Sequence, residues 1–189
     1  MKDLNNIIAN CLKQNRNAQQ QLYKYTYTEL STATAVYSKD ASERDWIFNL
    51  GMLKVLTGLD KYQTNTNYLG WARTILVRTA IDHHRKNKNY LTNMSPVEIE
   101  TQHFPSDDFE AMMNSLDTEA IVHILQQLPE KERLVFSMYE LDGYSHKEIE
   151  KLTGIKSNTS KWLLAKSKKS LREIVNKSKD SIKLMGNGE

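Results

Sequence analysis

The sequence is short of the residues that build several common protein classes. One cysteine, Cys11, among 189 residues excludes an intramolecular disulfide framework and a multi-cysteine zinc site. Seven glycines and three prolines exclude collagen-like sequence, a proline-rich linker and a turn-dense β-sandwich. No apolar run approaches the ~18 residues of a membrane span. The opening Met1-Lys2-Asp3-Leu4-Asn5-Asn6 lacks the basic-then-apolar order of a signal peptide. The expectation is a cytoplasmic, soluble, mostly helical chain without membrane insertion and without a metal or cofactor. The length allows one domain or two of roughly 70–90 residues, each near the lower limit for an independent core.

Net charge is also scarce, at +3 from 26 basic and 23 acidic side chains. Residues 1–90 carry 13 basic and 7 acidic groups, whereas 91–118 carry no Lys or Arg and six acids (Glu98, Glu100, Asp107, Asp108, Glu110 and Asp117). Residues 119–189 carry 13 basic and 10 acidic groups, so the near-neutral total is a cancellation of +6, −6 and +3. Pro96, Pro105 and the lack of an apolar period between Leu91 and Met112 mark 91–115 as a linker. Two readings of it stay open: a solvated loop, or an acidic strand lying in a basic nucleic-acid channel as a mimic of phosphate.

In the first module, Leu4, Ile7, Ile8, Cys11 and Leu12 recur at helical spacing, and Cys11 reads as core rather than nucleophile. A second helix from about Ala18 to Tyr37 places Leu22, Tyr25 or Tyr27, Leu30 and Ala33 on one side. Ser42 is the expected cap of a third, from about Glu43 to Leu56, with Ile47, Leu50, Leu53 and Val55 or Leu56 as its stripe. After the polar stretch Gln63-Thr64-Asn65-Thr66-Asn67, a fourth begins near Tyr68 and carries Trp71, Arg73, Arg78, Arg85, Lys86 and Lys88, with Asp82 the only acid. A basic helix end complements the helix dipole. Aromatic and basic groups beside a polar loop also suit single-stranded nucleic acid, whose bases stack while cations track phosphates.

The C-terminal third is more specific. Ser115 is expected to open a helix through Leu116, Ala120, Ile121, Ile124, Leu125 and Leu128, and Pro129 to take the first position of the next, where its missing N–H costs nothing. That helix runs to about Leu141, burying Leu134, Val135, Met138 and Tyr139 or Leu141. Ser145 and Glu148 form a capping box for a helix over about His146 to Leu152, with Ile149 and Leu152 inward. Gly154 supplies a turn, Ile155 fills the core and Ser157 caps a second helix. This is the pattern of a helix-turn-helix, whose second helix enters the DNA major groove. Asn158, Thr159, Lys161 and Trp162 or Ala165 then lie nearest the bases, with Lys166, Lys168, Lys169 and Arg172 nearer phosphates or solvent. From Lys156 to Lys183 the net charge is +7, which makes DNA affinity steeply salt-dependent.

Leu128-Pro129-Glu130-Lys131-Glu132-Arg133-Leu134-Val135-Phe136, Gly143-Tyr144-Ser145-His146-Lys147-Glu148-Ile149 and Thr159-Ser160-Lys161 resemble region 4 of bacterial sigma factors of the extracytoplasmic-function class. Leu53-Lys54-Val55, Leu59-Asp60-Lys61-Tyr62, Trp71 and Ala80-Ile81-Asp82-His83-His84-Arg85-Lys86 resemble that class's region 2. The resemblance implies an all-α chain of two small helical domains: region 2 over 1–90, a flexible acidic linker over 91–115, region 4 over 116–178 and a tail over 179–189. It implies promoter recognition with core RNA polymerase and promoter DNA as partners, an anti-sigma factor as regulator, and a monomer when free. Region 2 would meet the polymerase clamp through Trp46, Asn49, Leu50 and Leu53. It would melt the minus-ten DNA through Asn65, Asn67, Trp71, Arg78, Asp82 and Arg85, the loop 61–69 receiving a flipped base. Region 4 would read the minus-thirty-five element through Asn158, Thr159, Lys161, Trp162 and Lys166 while its first two helices meet the polymerase flap, and the linker would thread toward the RNA exit path. The chain departs from the family at the clamp surface, where Trp46, Asn49 and Leu50 replace an acidic and Gln-Glu pattern, and at Arg78, a position that usually holds Asn.

The alternative is a helix-turn-helix repressor or activator whose N-terminal domain dimerises or senses a ligand. An enzyme fits poorly. His83 and His84 are adjacent, point about 100° apart on a helix and lack a ligand at i+4, so both are expected to face solvent or DNA.

Overall fold

The computed structural model describes residues 2–63, 66–87 and 116–186, with side chains placed for 4–63, 66–86 and 116–177. The regular elements among the described residues are all helical, without strands, as expected from the composition. The chain divides into two compact units, Met1–Asn87 and Lys88–Glu189. The linker expected over 91–115, the residues Asn65, Lys88 and Ser115, and the side chains of the tail lie outside the described residues.

The N-terminal unit holds α1 (Lys2–Leu12), α2 (Arg16–Ala35), α3 (Ala41–Thr57), a 3₁₀ turn (Leu59–Lys61) and α4 (Tyr68–Asn87). Ile8, Cys11, Leu22, Phe48, Met52, Val55, Tyr68, Ala72 and Leu76 form its core. Leu12, expected in the α1 stripe, is exposed. On α2 neither Tyr25 nor Tyr27 is the buried residue. That position belongs to Thr26, whose hydroxyl donates to the Leu22 carbonyl at 2.7 Å and meets Tyr68 Oη at 2.7 Å. A small side chain with its polar atom satisfied fits between helices where a tyrosine ring does not.

Helix α3 begins at Ala41, and its cap is Asp40, not Ser42. Asp40 Oδ1 accepts the Glu43 N–H at 2.7 Å, while Ser38 Oγ accepts the Asp40 N–H and donates to the Glu43 carboxylate. This local network pulls the helix start forward. The inward stripe of α3 is Ile47, Phe48, Gly51, Met52 and Val55, rotated from the expected one, so Leu50 is half-buried and Leu53 is 58% exposed. Gly51 lets α3 approach α4, since a Cβ there would stand 2.6 Å from Leu76 Cδ2.

The C-terminal unit holds α5 (Thr118–Gln127), α6 (Glu130–Phe136), a π-helical turn (Ser137–Leu141), α7 (His146–Thr153) and α8 (Ser157–Gly186). Asp117 caps α5 by accepting the Ala120 N–H at 2.7 Å. Pro129 is the cap residue of α6, one position earlier than expected. Leu125, Leu128, Leu134, Val135, Phe136, Met138, Ile149, Ile155, Leu163 and Leu171 are buried. The wider π turn carries Tyr139 and Leu141 outward, where an unbroken α-helix was expected to bury one of them.

Both bonds of the Ser145–Glu148 capping box are present, and Gly154 adopts φ 80°, the left-handed conformation that ends α7. Ile149 and Ile155 are buried as expected, whereas Leu152 is half-buried beside a buried Thr153. Ser157 is the first residue of α8 instead of its cap: its N–H donates to Glu150 Oε2 at 3.1 Å. The carboxylate reaches from α7 to take a backbone donor that the helix itself leaves unpaired.

Candidate nucleic-acid interface

On α8 the residues Ser160, Leu163, Leu164, Ser167, Leu171 and Val175 are buried. At 100° per residue, Asn158, Lys161, Trp162, Ala165, Lys169 and Arg172 share an opposite arc of about 100°. Asn158, Lys161 and Lys169 are exposed and Trp162 half-buried. The helix thus brings Asn158, Lys161 and Trp162 together on one outward stripe and leaves Thr159 and Lys166 on its flank. Lys166 Nζ is paired with Glu132 Oε1 at 2.9 Å and lies 5.0 Å from the centre of the Trp162 ring. Lys168 Nζ pairs with Glu140 Oε1 at 2.7 Å. Neither pairing has a sequence signal, because the partners sit on separate helices.

His146, at the start of α7, ties the two helices of the motif together. Its Nδ1 is 2.9 Å from Ser160 Oγ, and its ring stacks on Tyr139 with centroids 4.5 Å apart. Burial, and then the nearby Lys161 charge, push the imidazole below its ordinary 6.5. The unfolded chain therefore binds this proton more readily than the folded one. The stabilisation from the neutral ring is complete above 6.5 and is lost as pH falls from there through the lower folded value. The C-terminal unit is expected to resist urea less at pH 5.5 than at 7.5, and His146→Gln to flatten that dependence. An equal pH dependence in the variant would contradict the assignment.

In the N-terminal unit, Trp71, Arg78, Asp82 and Arg85 share one face of α4, within an arc of about 60°. Arg78 and Arg85 are exposed. Arg85 Nη2 lies 3.3 Å from Asp82 Oδ1 with both side chains about half exposed, a pair that water weakens. Trp71 is half-buried, its ring 5.2 Å from that of Tyr62 and 6.2 Å from that of Tyr68. Asn67 serves the helix itself, its Oδ1 accepting the N–H of Leu69 at 3.1 Å and of Gly70 at 3.4 Å. Tyr62 Oη donates to the Thr66 carbonyl at 2.6 Å, which cinches the loop before α4. Burial, only partly offset by the Thr26 hydroxyl, drives the Tyr68 phenol up to about 12, so it stays protonated.

The two histidines do not both face outward. His84 is buried with Nε2 against the Tyr37 carbonyl, and His83 Nε2 lies 2.8 Å from Glu43 Oε1. Burial alone would raise the Glu43 carboxyl, but the bonds from Ser38 and His83 outweigh it and hold the group below its usual range. The acid that makes His83 a partner comes from α3, 40 residues away in sequence. Among the described residues no cluster of His, Cys, Asp and Glu could hold a metal ion, and no helix is long and apolar enough to cross a membrane.

A second outward face of this unit lies on α3. Trp46, Asn49 and Leu53 are exposed and Leu50 is half-buried beside them. Asn49 Oδ1 accepts from Tyr23 Oη at 2.7 Å, and Tyr27 stands edge-on to Phe48 at 5.0 Å, so two α2 tyrosines pack against α3. Their spacing of four residues was the available signal, but without the α2–α3 packing nothing assigned it to a surface.

Residues 118–171 match the family model described as Sigma-70, region 4. The matched stretch runs from the first residue of α5 into α8 and includes α7, the turn and the first half of α8. The match likens this stretch, not the whole chain, to sigma-70 region 4 and supports a sigma-factor-like, DNA-binding role in transcription initiation.

Proposed function

We propose that this chain is a sigma factor of the extracytoplasmic-function class, built from regions 2 and 4 alone, that binds core RNA polymerase and directs it to promoters. One observation carries the reading: the region 4 match falls on a helix-turn-helix whose second helix turns Asn158, Lys161 and Trp162 outward on one stripe. The shared face of Trp71, Arg78, Asp82 and Arg85 supports a minus-ten role for the N-terminal unit, since a ring and cations along one helix suit unstacked bases and their phosphates. The neighbouring Trp46, Asn49, Leu50 and Leu53 suit a protein partner, which we take to be the polymerase clamp. An anti-sigma factor covering these surfaces is the corresponding regulator.

The deciding experiment is transcription by purified core polymerase with and without this chain on a genomic template, with start sites mapped. Discrete new start sites are expected. A chain that instead forms a dimer, binds a palindromic duplex tightly by itself and does not co-elute with core polymerase would be a repressor or activator.

Two variants separate the roles. Lys161→Ala is expected to cost about 1–3 kcal/mol in recognition of the upstream element if its ammonium reaches a base edge, read as lost initiation at promoters that depend on that element. Arg85→Ala is expected to leave upstream binding intact and reduce DNA opening, read as weaker permanganate reactivity of minus-ten thymines. Unchanged opening would remove Arg85 from the melting face.

A further inference from the structure

The carboxylate of Glu132 is buried, yet everything it holds is on α8. Its side chain is 2% exposed and bonds Lys166 Nζ at 2.9 Å through Oε1 and Ser170 Oγ at 3.2 Å through Oε2. Lys166 and Ser170 stand one helical turn apart, so one rigid side chain from α6 grips α8 at two levels. Two levels resist rotation about the helix axis better than one. The Lys166 ammonium, fixed at one end by Glu132, covers the Trp162 ring at 5.0 Å, an arrangement favoured by the ring's negative face. Trp162 belongs to the outward stripe with Asn158 and Lys161, so the chain Glu132, Lys166, Trp162 connects the core of the unit to its reading face.

We propose that Glu132 is a positioning residue for DNA reading: by holding Lys166 and Ser170 it sets the roll of α8 and the attitude of Trp162, and it withdraws Lys166 from the cations that meet phosphate. This rests on the reading of α8 as the DNA-facing helix. The buried carboxylate needs its ammonium partner, because an unpaired buried charge is strongly destabilising. The paired carboxylate offsets much of the Lys166 charge at close range, which lessens what Lys166 adds at a phosphate. Lys161 and Lys169 have exposed side chains on the stripe itself, Lys161 toward the bases and Lys169 as the phosphate-neutralising group.

The distinction appears in the salt dependence of binding, since each neutralised phosphate contributes about 0.9 to the slope of log affinity against log salt. The probe is a fluorescein-labelled random-sequence duplex, titrated by anisotropy with the full chain at several salt concentrations. Trp162 is followed as a 5-fluorotryptophan ¹⁹F resonance. Because Lys166→Met alone strands a buried carboxylate and risks unfolding, the test variant is Glu132→Gln with Lys166→Met, which removes both charges. Expected are an unchanged salt slope, a displaced Trp162 resonance and an affinity loss of about tenfold, the middle of the range for coupled neighbours. Lys166→Arg, which keeps the pair, should leave all three readouts at their wild-type values.

Lys169→Ala serves as the comparison, with an expected slope loss of roughly 0.9. A slope loss of that size in the Glu132/Lys166 variant would overturn the proposal, as would an unmoved Trp162 resonance with unchanged affinity. If Lys169→Ala binds like wild type, α8 is not the DNA-facing helix, and the failure lies with that reading instead.

Discussion

Replacing Phe136 with alanine is expected to remove about 3–5 kcal/mol from the C-terminal unit. The ring is 1% exposed at the end of α6, where the chain passes into the π turn. The helix that carries it packs against α8 and runs directly into that turn, so the site has little freedom to collapse around the lost volume. A unit of this size holds a total stability of only a few to about 10 kcal/mol at ~0.05–0.15 kcal/mol per residue. The variant should therefore spend much of its time unfolded and lose DNA binding together with helical signal. Urea denaturation followed by circular dichroism measures this directly. Tyr139→Ala, three residues on but 37% exposed, should shift the midpoint far less. Equal shifts in the two variants would contradict the outward turn of the π segment.

The second large effect concerns binding instead of folding. Trp46 is 52% and Leu53 58% exposed, a costly display of apolar surface unless a partner covers it. Buried aromatic anchors at interfaces contribute about 2–4 kcal/mol each when truncated. Trp46→Ala with Leu53→Ala should then weaken binding to core polymerase by at least ~30-fold. The thermal transition of the N-terminal unit should hardly move, because neither side chain fills the core. Immobilised core polymerase titrated with both proteins gives the comparison. Retained affinity would direct attention away from α3, toward another surface for the polymerase.

Much of the architecture was readable because it is local. The capping box at Ser145 and Glu148 and the turn at Gly154 involve residues within about four positions of each other, where sequence and geometry are tightly linked. The same locality made Asn158, Lys161 and Trp162 readable as one face. It failed where a period had two nearby solutions. On α3 the stripe containing Leu53 and the one containing Phe48 and Met52 are neighbouring arcs of one helix, and only the approach of α4 at Gly51 selects between them. On α2 the small polar Thr26 displaced tyrosine because its hydroxyl found partners across the helix pair.

By itself, then, the sequence determined an all-helical chain and a helix-turn-helix near its C-terminal end, and it named Asn158, Lys161 and Trp162 among the outward residues of the second helix together with Thr159 and Lys166, which lie on its flank. The tertiary structure alone decided that Lys166 is held by Glu132, that His83 meets Glu43 and that His84 is buried against Tyr37. Each of those choices joins groups far apart in the chain. Helical periodicity reports which side of a helix turns inward, but only packing decides which charge or ring waits there.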